Sequence, residues 1–504
     1  MILSKLGLLP LTGKTDFPGN DYFKFPVKVL QFGTGVLLRG LPDYFIDKAN
    51  KQDVFKGRVA IIKSTSSGNA EAFADQDGLY TICVRGIEKG TVVDENHIIG
   101  SVAKVYYAAD EWSTILEFAL SPDLEIVISN TTEVGLMLLD KDDIFADPPI
   151  SFPGKLLAIL YHRYIKGEAN SQKGLVIIPT ELVPGNADKL KDILITLSKQ
   201  NKLSREFIDW MVHKNYFCNS LVDRIVPGKL NSGDKLLTQQ LIGYEDNLMI
   251  MAEPYRLWAI ETGEPVVREI LSFSKSDEGV IIAQDITKFR ELKLRLLNGT
   301  HTLSCGLAVL SNFTTVKEAM KQEFFKTFIQ MLMLQEIVPA ITGEKITIHE
   351  AREFSERVIE RFSNPFINHQ WMSITLQYSA KMLMRNVPIL QAHYLRSVEV
   401  PQCIALGFAG YILFMRSRKN EEHKYVGSAD RTEYLISDDK AELLFLKWNE
   451  EKRAEVASAI LSDKEIWNTD LTSFPGFTEA VTKYLELLIK NGATMTMKAL
   501  THSN

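Results

Sequence analysis

Long apolar runs are scarce in this 504-residue chain. The longest, CIALGFAGYILFM at 403–415, has thirteen residues. That is short of the ~20 needed to span a bilayer, so a buried core helix and no membrane partner are expected. Cysteine is also scarce. Cys83, Cys218, Cys305 and Cys403 stand apart with no CxxC pair, which argues against a zinc or disulfide framework and for reduced thiols. Positive charge is not in excess: Lys+Arg is 57 against 63 for Asp+Glu, a formal net charge of -6. No strong field is present to draw nucleic acid, although a local basic patch stays open. The start, MILSKLGLLPLTGK, lacks a signal-peptide core, and a cytoplasmic location is expected. No repeat, low-complexity linker or His/Cys/Asp ligand set stands out, so no metal is expected. Nothing assigns an oligomeric state.

What remains is an ordinary globular composition, 45% hydrophobic and 24% charged. The first half alternates apolar strands, VKVLQF (27–32), RVAIIK (58–63), LEIVIS (124–129) and GLVIIP (174–179), with helical stretches such as 37–49, 109–119 and 155–165. Such alternation means βαβ units and a mostly parallel sheet. From about residue 285 the pattern turns helical, at 289–297, 316–334, 348–361, 367–385, 443–461 and 478–491. The expected architecture is an α/β Rossmann-type domain, 1–284, followed by a mostly α-helical domain, 285–504, taken as all-α, with a ligand cleft between them.

The first strand runs into QFGTGVLLRG (31–40). Two glycines permit a tight turn and close approach to a pyrophosphate at a helix N-terminus. The third glycine of GxGxxG would fall at Leu38, but glycine returns only at Gly40. An ordinary strand-to-helix turn that uses glycine for φ > 0 fits the same residues. The second strand ends Lys63-Ser64-Thr65, without the carboxylate that usually holds the adenosine ribose of NAD. NADP is therefore left open beside NAD: Lys63 either meets a 2′-phosphate or is a solvated lysine.

The segment ELKLRLLNGTH (291–301) places three polar groups near one another. On an α-helix Asn298 lies ~140° and His301 ~80° from Lys293. Oxidising an alcohol requires removal of the hydroxyl proton as hydride leaves, a task for a partly desolvated lysine. An amide and an imidazole can polarise the same oxygen. A satisfied core asparagine and histidine beside a surface lysine would give the same spacing.

These residues, within KLRLLNGTH, match the K-x4-N-x2-H signature of the polyol-specific long-chain dehydrogenases, the mannitol dehydrogenase family. FGTGVLLRG (32–40), QDGLYTICVRG (76–86), CNSLVDRIVP (218–227), RFSNPF (361–366) and RNVPIL (385–390) resemble further landmarks of that family. The resemblance implies a Rossmann-type domain, a helical domain and metal-independent NAD chemistry. Lys293 would be the acid/base, with Asn298 and His301 on the substrate oxygen. Gly33, Thr34, Gly35 and Val36 of the turn, and Asn130 and Thr131 just beyond the LEIVIS run, would bind the cofactor. Asp223 would lie near the substrate, or else be a buried carboxylate paired with Arg224.

SNTTEVG (129–135), PTELVPGN (179–186) and NPFINH (364–369) resemble the uronate branch of the family, which interconverts D-tagaturonate and D-altronate. Fructuronate/mannonate or mannitol-type substrates on the same scaffold, and a non-catalytic dinucleotide sensor, are the competing expectations. Leu182 stands where polyol enzymes carry an oxyanion asparagine, so Asn186 or a backbone N–H would have to substitute. A small sugar-acid substrate brings a carboxylate that needs cations. His369, Ser373, Gln377, Lys381 and Arg385 recur at i+4, and Lys381 and Arg385 are the candidates; a solvated polar face is the plainer alternative.

Overall fold

Six short strands stack in parallel, and the inner four are apolar and largely buried on both faces. Numbered along the chain, they are β1 (Val27–Phe32), β2 (Arg58–Lys63), β3 (Val102–Tyr107), β4 (Ile126–Ser129), β5 (Val176–Pro179) and β6 (Tyr216–Phe217). Their spatial order is β3-β2-β1-β4-β5-β6, the doubly wound order whose direction reverses between β1 and β4. The computed structural model describes residues 1–7, 20–64, 71–131, 135–167, 173–430 and 432–502. Residues 8–14 of the N-terminal run, Thr65 at the second strand's end, and Thr132, Glu133 and Val134 of the SNTTEVG segment lie outside them.

The chain divides into two compact units, Met1–Arg85 with Val92–Ile286, and Gly86–Thr91 with Thr287–Asn504. In the first, apolar clusters cover both faces of the six-stranded sheet, one including Val29, Val59 and Trp258, the other Leu30, Val127 and Phe207. The single helix expected over 37–49 is two, Val36–Gly40 and Pro42–Lys51. Leu41, at φ -133° and ψ -76°, separates them, because a residue before proline avoids the α region. Two small sheets accompany the large one. Tyr80–Glu88 pairs with Thr91–Ile99 and Ile250–Ala252, and Leu257–Glu261 lies between Val280–Ala283 and Ser220–Asp223.

The second unit is mostly helical, as its patterning predicts, but it is not all-α. Arg418–Lys419, Tyr425–Ala429 and Thr432–Leu435 form an antiparallel sheet. Its strands are short and largely exposed, so no apolar alternation marks them. The core helix is Gln402–Phe414, buried along almost its whole length. It packs closely on Thr300–Leu310, since Cβ atoms at Gly407 and Gly410 would lie 2.7 and 2.6 Å from the Leu303 and Leu307 side chains. Glu323–Ile341 is long and apolar enough to cross a bilayer by composition, a stretch that a search for unbroken apolar runs misses because charges interrupt it. Of its most apolar window 56% is buried in the protein, as suits a core helix.

Three helical stretches change pitch. Lys293–Gly299, Leu332–Ile337 and Met382–Asn386 are π-helical, with i→i+5 bonding in place of i→i+4. The first and third bear on function.

Candidate active site

In the first unit, β1 ends at Phe32 and the chain turns through Gly33, whose φ of +118° is open to glycine. A Cβ there would also press on the Asn130 carbonyl at 3.2 Å. A Cβ at Gly35 would meet nothing within 4 Å, so the backbone faces open space into which a ligand can come close. The third glycine's task, close helix packing, is done at Gly40, where a Cβ would lie 2.8 Å from Val226 Cγ2. Leu38 is buried instead.

A cavity of about 610 Å³ opens at this turn, at the carboxyl ends of β1, β2 and β4, where the strand order reverses. Gly33, Thr34, Gly35, Asn130 and Thr131 line it, with Lys63 and Lys155. Of the residues expected there only Val36 does not line it and packs against the core. Asn130 Nδ2 donates to the Thr180 carbonyl and hydroxyl at 3.1 and 3.0 Å. Glu181, unremarked in the sequence, is buried and accepts from the Thr131 N–H at 2.9 Å and from the Ser129 hydroxyl at 3.1 Å. It fixes the Asn130–Thr131 stretch beside the glycines. A cavity at a strand-order reversal, floored by a glycine turn, fits a dinucleotide.

Asn186 is not an oxyanion donor. It is fully buried, and its Nδ2 is spent on the carbonyls of Pro179, Glu181 and Ser220 at 2.9, 3.1 and 3.0 Å. Its Oδ1 accepts from Ala187 and Ser220 N–H groups, both at 3.0 Å. It clasps two strand ends. Asn186→Ala should therefore cost about 2–4 kcal/mol of stability by orphaning these groups. The turnover of the folded fraction should stay within about threefold of the parent. Thermal unfolding and active-site-normalised kinetics check the two halves. Asp223 is buried at the end of its strand. Arg224 directs its donors elsewhere, to the Glu253 carbonyl at 2.9 Å and the Gly40 carbonyl at 2.6 Å.

In the second unit the π turn revises the geometry of the signature. With i→i+5 bonding each turn holds more residues than an α turn and each residue rotates less, so Asn298 swings nearer to Lys293 than the ~140° of an α-helix. Both are half-buried. The stretch is held from outside. Arg295 pairs with Glu291 at 2.9 Å and donates to the Met384 and Arg385 carbonyls at 2.8 and 3.0 Å. Asn386 donates to the Gly299 carbonyl at 3.0 Å.

His301 follows on Thr300–Leu310, 7% exposed. Its ring stacks on Phe362 at 4.0 Å and meets His369 edge-on at 5.1 Å. Its Nε2 is buried with no partner among the described residues. Burial, and then the positive fields of His369, Arg361 and Arg385, hold its pKa well below the ordinary 6.5, so the imidazole is neutral. The unfolded chain takes up this proton first, so stability is lost as pH falls below about 6.5. His301→Gln should flatten the pH dependence of the unfolding free energy measured in urea there, by up to about 1.4 kcal/mol per pH unit.

The expected i+4 stripe along 367–385 does not exist. Helix begins only at Trp371–Ile374, Gln377 sits at φ 52°, and Arg385 falls in the π turn. Lys381 and Arg385 nevertheless come near the histidines. Lys381 Nζ donates to the Ile374 carbonyl at 2.9 Å, and Arg385 donates to Thr302 Oγ1 at 3.0 Å. Burial, then Arg385, lowers the Lys381 pKa, and burial lowers that of Arg385. Buried Arg361, at the end of helix Ile348–Phe362, adds a third cation that the spacing did not single out. His369 is lowered by burial and then by Arg361 and Lys381. Like charges gathered at partly dry positions call for an anion.

The Rossmann-domain model of mannitol dehydrogenase matches residues 27–270, and the model of its C-terminal domain matches residues 285–489. The chain belongs to the mannitol dehydrogenase family. Among curated members of this family, altronate oxidoreductase of Halalkalibacterium halodurans is 36% identical over 93% of this chain and 92% of that protein. Altronate oxidoreductase of Bacillus subtilis is 34% identical over 92% and 93%. The solved ternary complex of Pseudomonas fluorescens mannitol 2-dehydrogenase with NAD and D-mannitol superposes with a TM-score of 0.71 at 22% identity, covering 100% of both chains. A substrate-free D-sorbitol dehydrogenase gives 0.76 at 19% identity, covering 99% and 100%. These two family folds bear out the Rossmann-type sheet followed by a mostly helical part.

Proposed function

We propose that this chain is an NAD-dependent oxidoreductase acting on CH–OH, and that it interconverts D-tagaturonate and D-altronate. One observation carries the chemistry: a π turn that runs from Lys293 through Asn298 and brings them nearer than an α turn would, just before a neutral, buried His301 whose Nε2 has no partner among the described residues. In this reading residues 1–284 take the dinucleotide, and residues 285–504 hold the substrate and its chemistry. Gly33, Thr34 and Gly35 would take the pyrophosphate, with Asn130 and Thr131 beside them. When bound, NAD accepts hydride from the alcohol carbon or returns it to the carbonyl.

The chain's own residues manage the oxygen. Lys293 takes the hydroxyl proton during oxidation and gives it to the nascent alkoxide during reduction. Asn298 and His301 donate N–H groups to that oxygen as its charge develops. Arg361, Lys381 and Arg385 hold the carboxylate that a sugar acid carries and a polyol lacks. Asp223 accepts from a substrate hydroxyl. The altronate oxidoreductases at 36% and 34% identity support the choice of substrate. Four thiols, all free and buried, suit a reducing compartment such as the cytoplasm.

Oxidation of D-altronate by NAD is expected to exceed that of D-mannonate and D-mannitol by at least about tenfold in kcat/KM. Equal turnover of mannitol in the same assay would overturn the sugar-acid assignment.

A further inference from the structure

A second cavity, of about 430 Å³, lies in the first unit beside the one just described. Thr34 and Lys63 line both. Arg39, Lys229 and Lys235 complete a ring of four cations, and no Asp or Glu is among its described lining residues. Two of the four are built into the fold. Lys63 is 5% exposed, with its ammonium 5.3 Å from the centre of the Tyr107 ring. Arg39 is 8% exposed and held between the rings of Phe73 and Tyr80, 5.8 and 5.4 Å from the guanidinium carbon. One of its donors goes to the Leu248 carbonyl at 2.8 Å, while its buried Nε has no partner.

Location decides what such a ring recognises. Lys63 is the last residue of β2, where a dinucleotide fold ordinarily places an acid against the 2′-hydroxyl of the adenosine ribose. A cation there, opening into a pocket with three more, is suited to a group of charge near -2. A phosphate monoester carries that charge at neutral pH, and a single carboxylate does not. Resting on the dinucleotide reading above, we propose that this cavity is a 2′-phosphate site and that the protein takes NADPH as well as NADH. Lys63 and Arg39 form its floor, with Lys229 and Lys235 at its rim.

Binding to the full-length protein tests this. Calorimetry should show 2′,5′-ADP binding at least about tenfold more tightly than 5′-AMP, and NADPH within about tenfold of NADH. Changing the two rim lysines, Lys229→Ala with Lys235→Ala, should abolish the 2′-phosphate advantage. NADH affinity, which also reports correct folding, should stay within about twofold. Inorganic phosphate should compete with NADPH and not with NADH. If NADH binds and 2′,5′-ADP gains nothing over 5′-AMP, the proposal is wrong. It is equally wrong if phosphate binds without displacing NADPH, or if the double variant weakens both dinucleotides alike. A chain that binds no NADH overturns the dinucleotide reading itself, and this site with it.

Discussion

Lys293→Ala should lower kcat for reduction of D-tagaturonate by about 10²–10⁴-fold, the usual worth of a positioned proton donor. NADH binding should be nearly unchanged, because the glycine turn and its cavity belong to the other unit. The loss should fall on kcat and kcat/KM together, as for an interaction made only in the transition state. Asn298 and His301 would still polarise the carbonyl, so a residual rate should survive. Single-turnover kinetics with a parallel NADH titration separate the two effects. A non-catalytic dinucleotide sensor would have no turnover to lose. A variant that kept its rate would shift the proton to another group and leave the π turn between Lys293 and Asn298 without a chemical purpose.

The second large effect concerns the carboxylate. Removing both cations, Lys381→Ala with Arg385→Ala, should reduce kcat/KM for the keto acid by about 10²–10⁴-fold, since hydrogen bonds to charged groups are worth about 1.5–3 kcal/mol each. Any activity towards D-fructose, which lacks the carboxylate, should change by less than about tenfold. That difference between substrates distinguishes recognition from simple damage to the fold. Arg385 also donates to Thr302, next to His301, so its loss alone should disturb both substrates slightly. Lys381, which donates to the Ile374 carbonyl, should show the cleaner discrimination.

Much of the first unit was legible. β1, β2, β4 and β5 are nearly continuous apolar runs, and their spacing leaves room for crossover helices. Val102–Tyr107 carries no clear strand signal because its lysine and tyrosines break the run, and Tyr216–Phe217 carries none because it has two residues. The signature residues Lys293, Asn298 and His301 were readable as a group, but their arrangement was not. A π turn differs from an α turn by where one hydrogen bond closes, and that choice is stabilised by remote partners such as Arg295 and Asn386. No local pattern encodes these partners.

The same limit explains the other corrections. Asn186 looked like a displaced oxyanion donor because its neighbours in sequence are the strand end and a glycine. Its true partners include Ser220, thirty-four positions away. The stripe through 367–385 obeyed helical spacing, yet Gln377 takes a left-handed conformation and bonds Asp439. Arg361 lies within the RFSNPF motif, whose spacing does not place it; the packing of neighbouring Phe362 on His301 brings that helix end to the site.

The central claim is that this site reduces a keto sugar acid. The most direct measurement is kcat/KM for NADH-linked reduction of D-tagaturonate, D-fructuronate and D-fructose by the purified protein. The account predicts that D-tagaturonate leads, with D-fructose behind by about 10² or more. Faster turnover of D-fructose would contradict it, and would leave the cluster of Arg361, Lys381 and Arg385 without a substrate anion to hold.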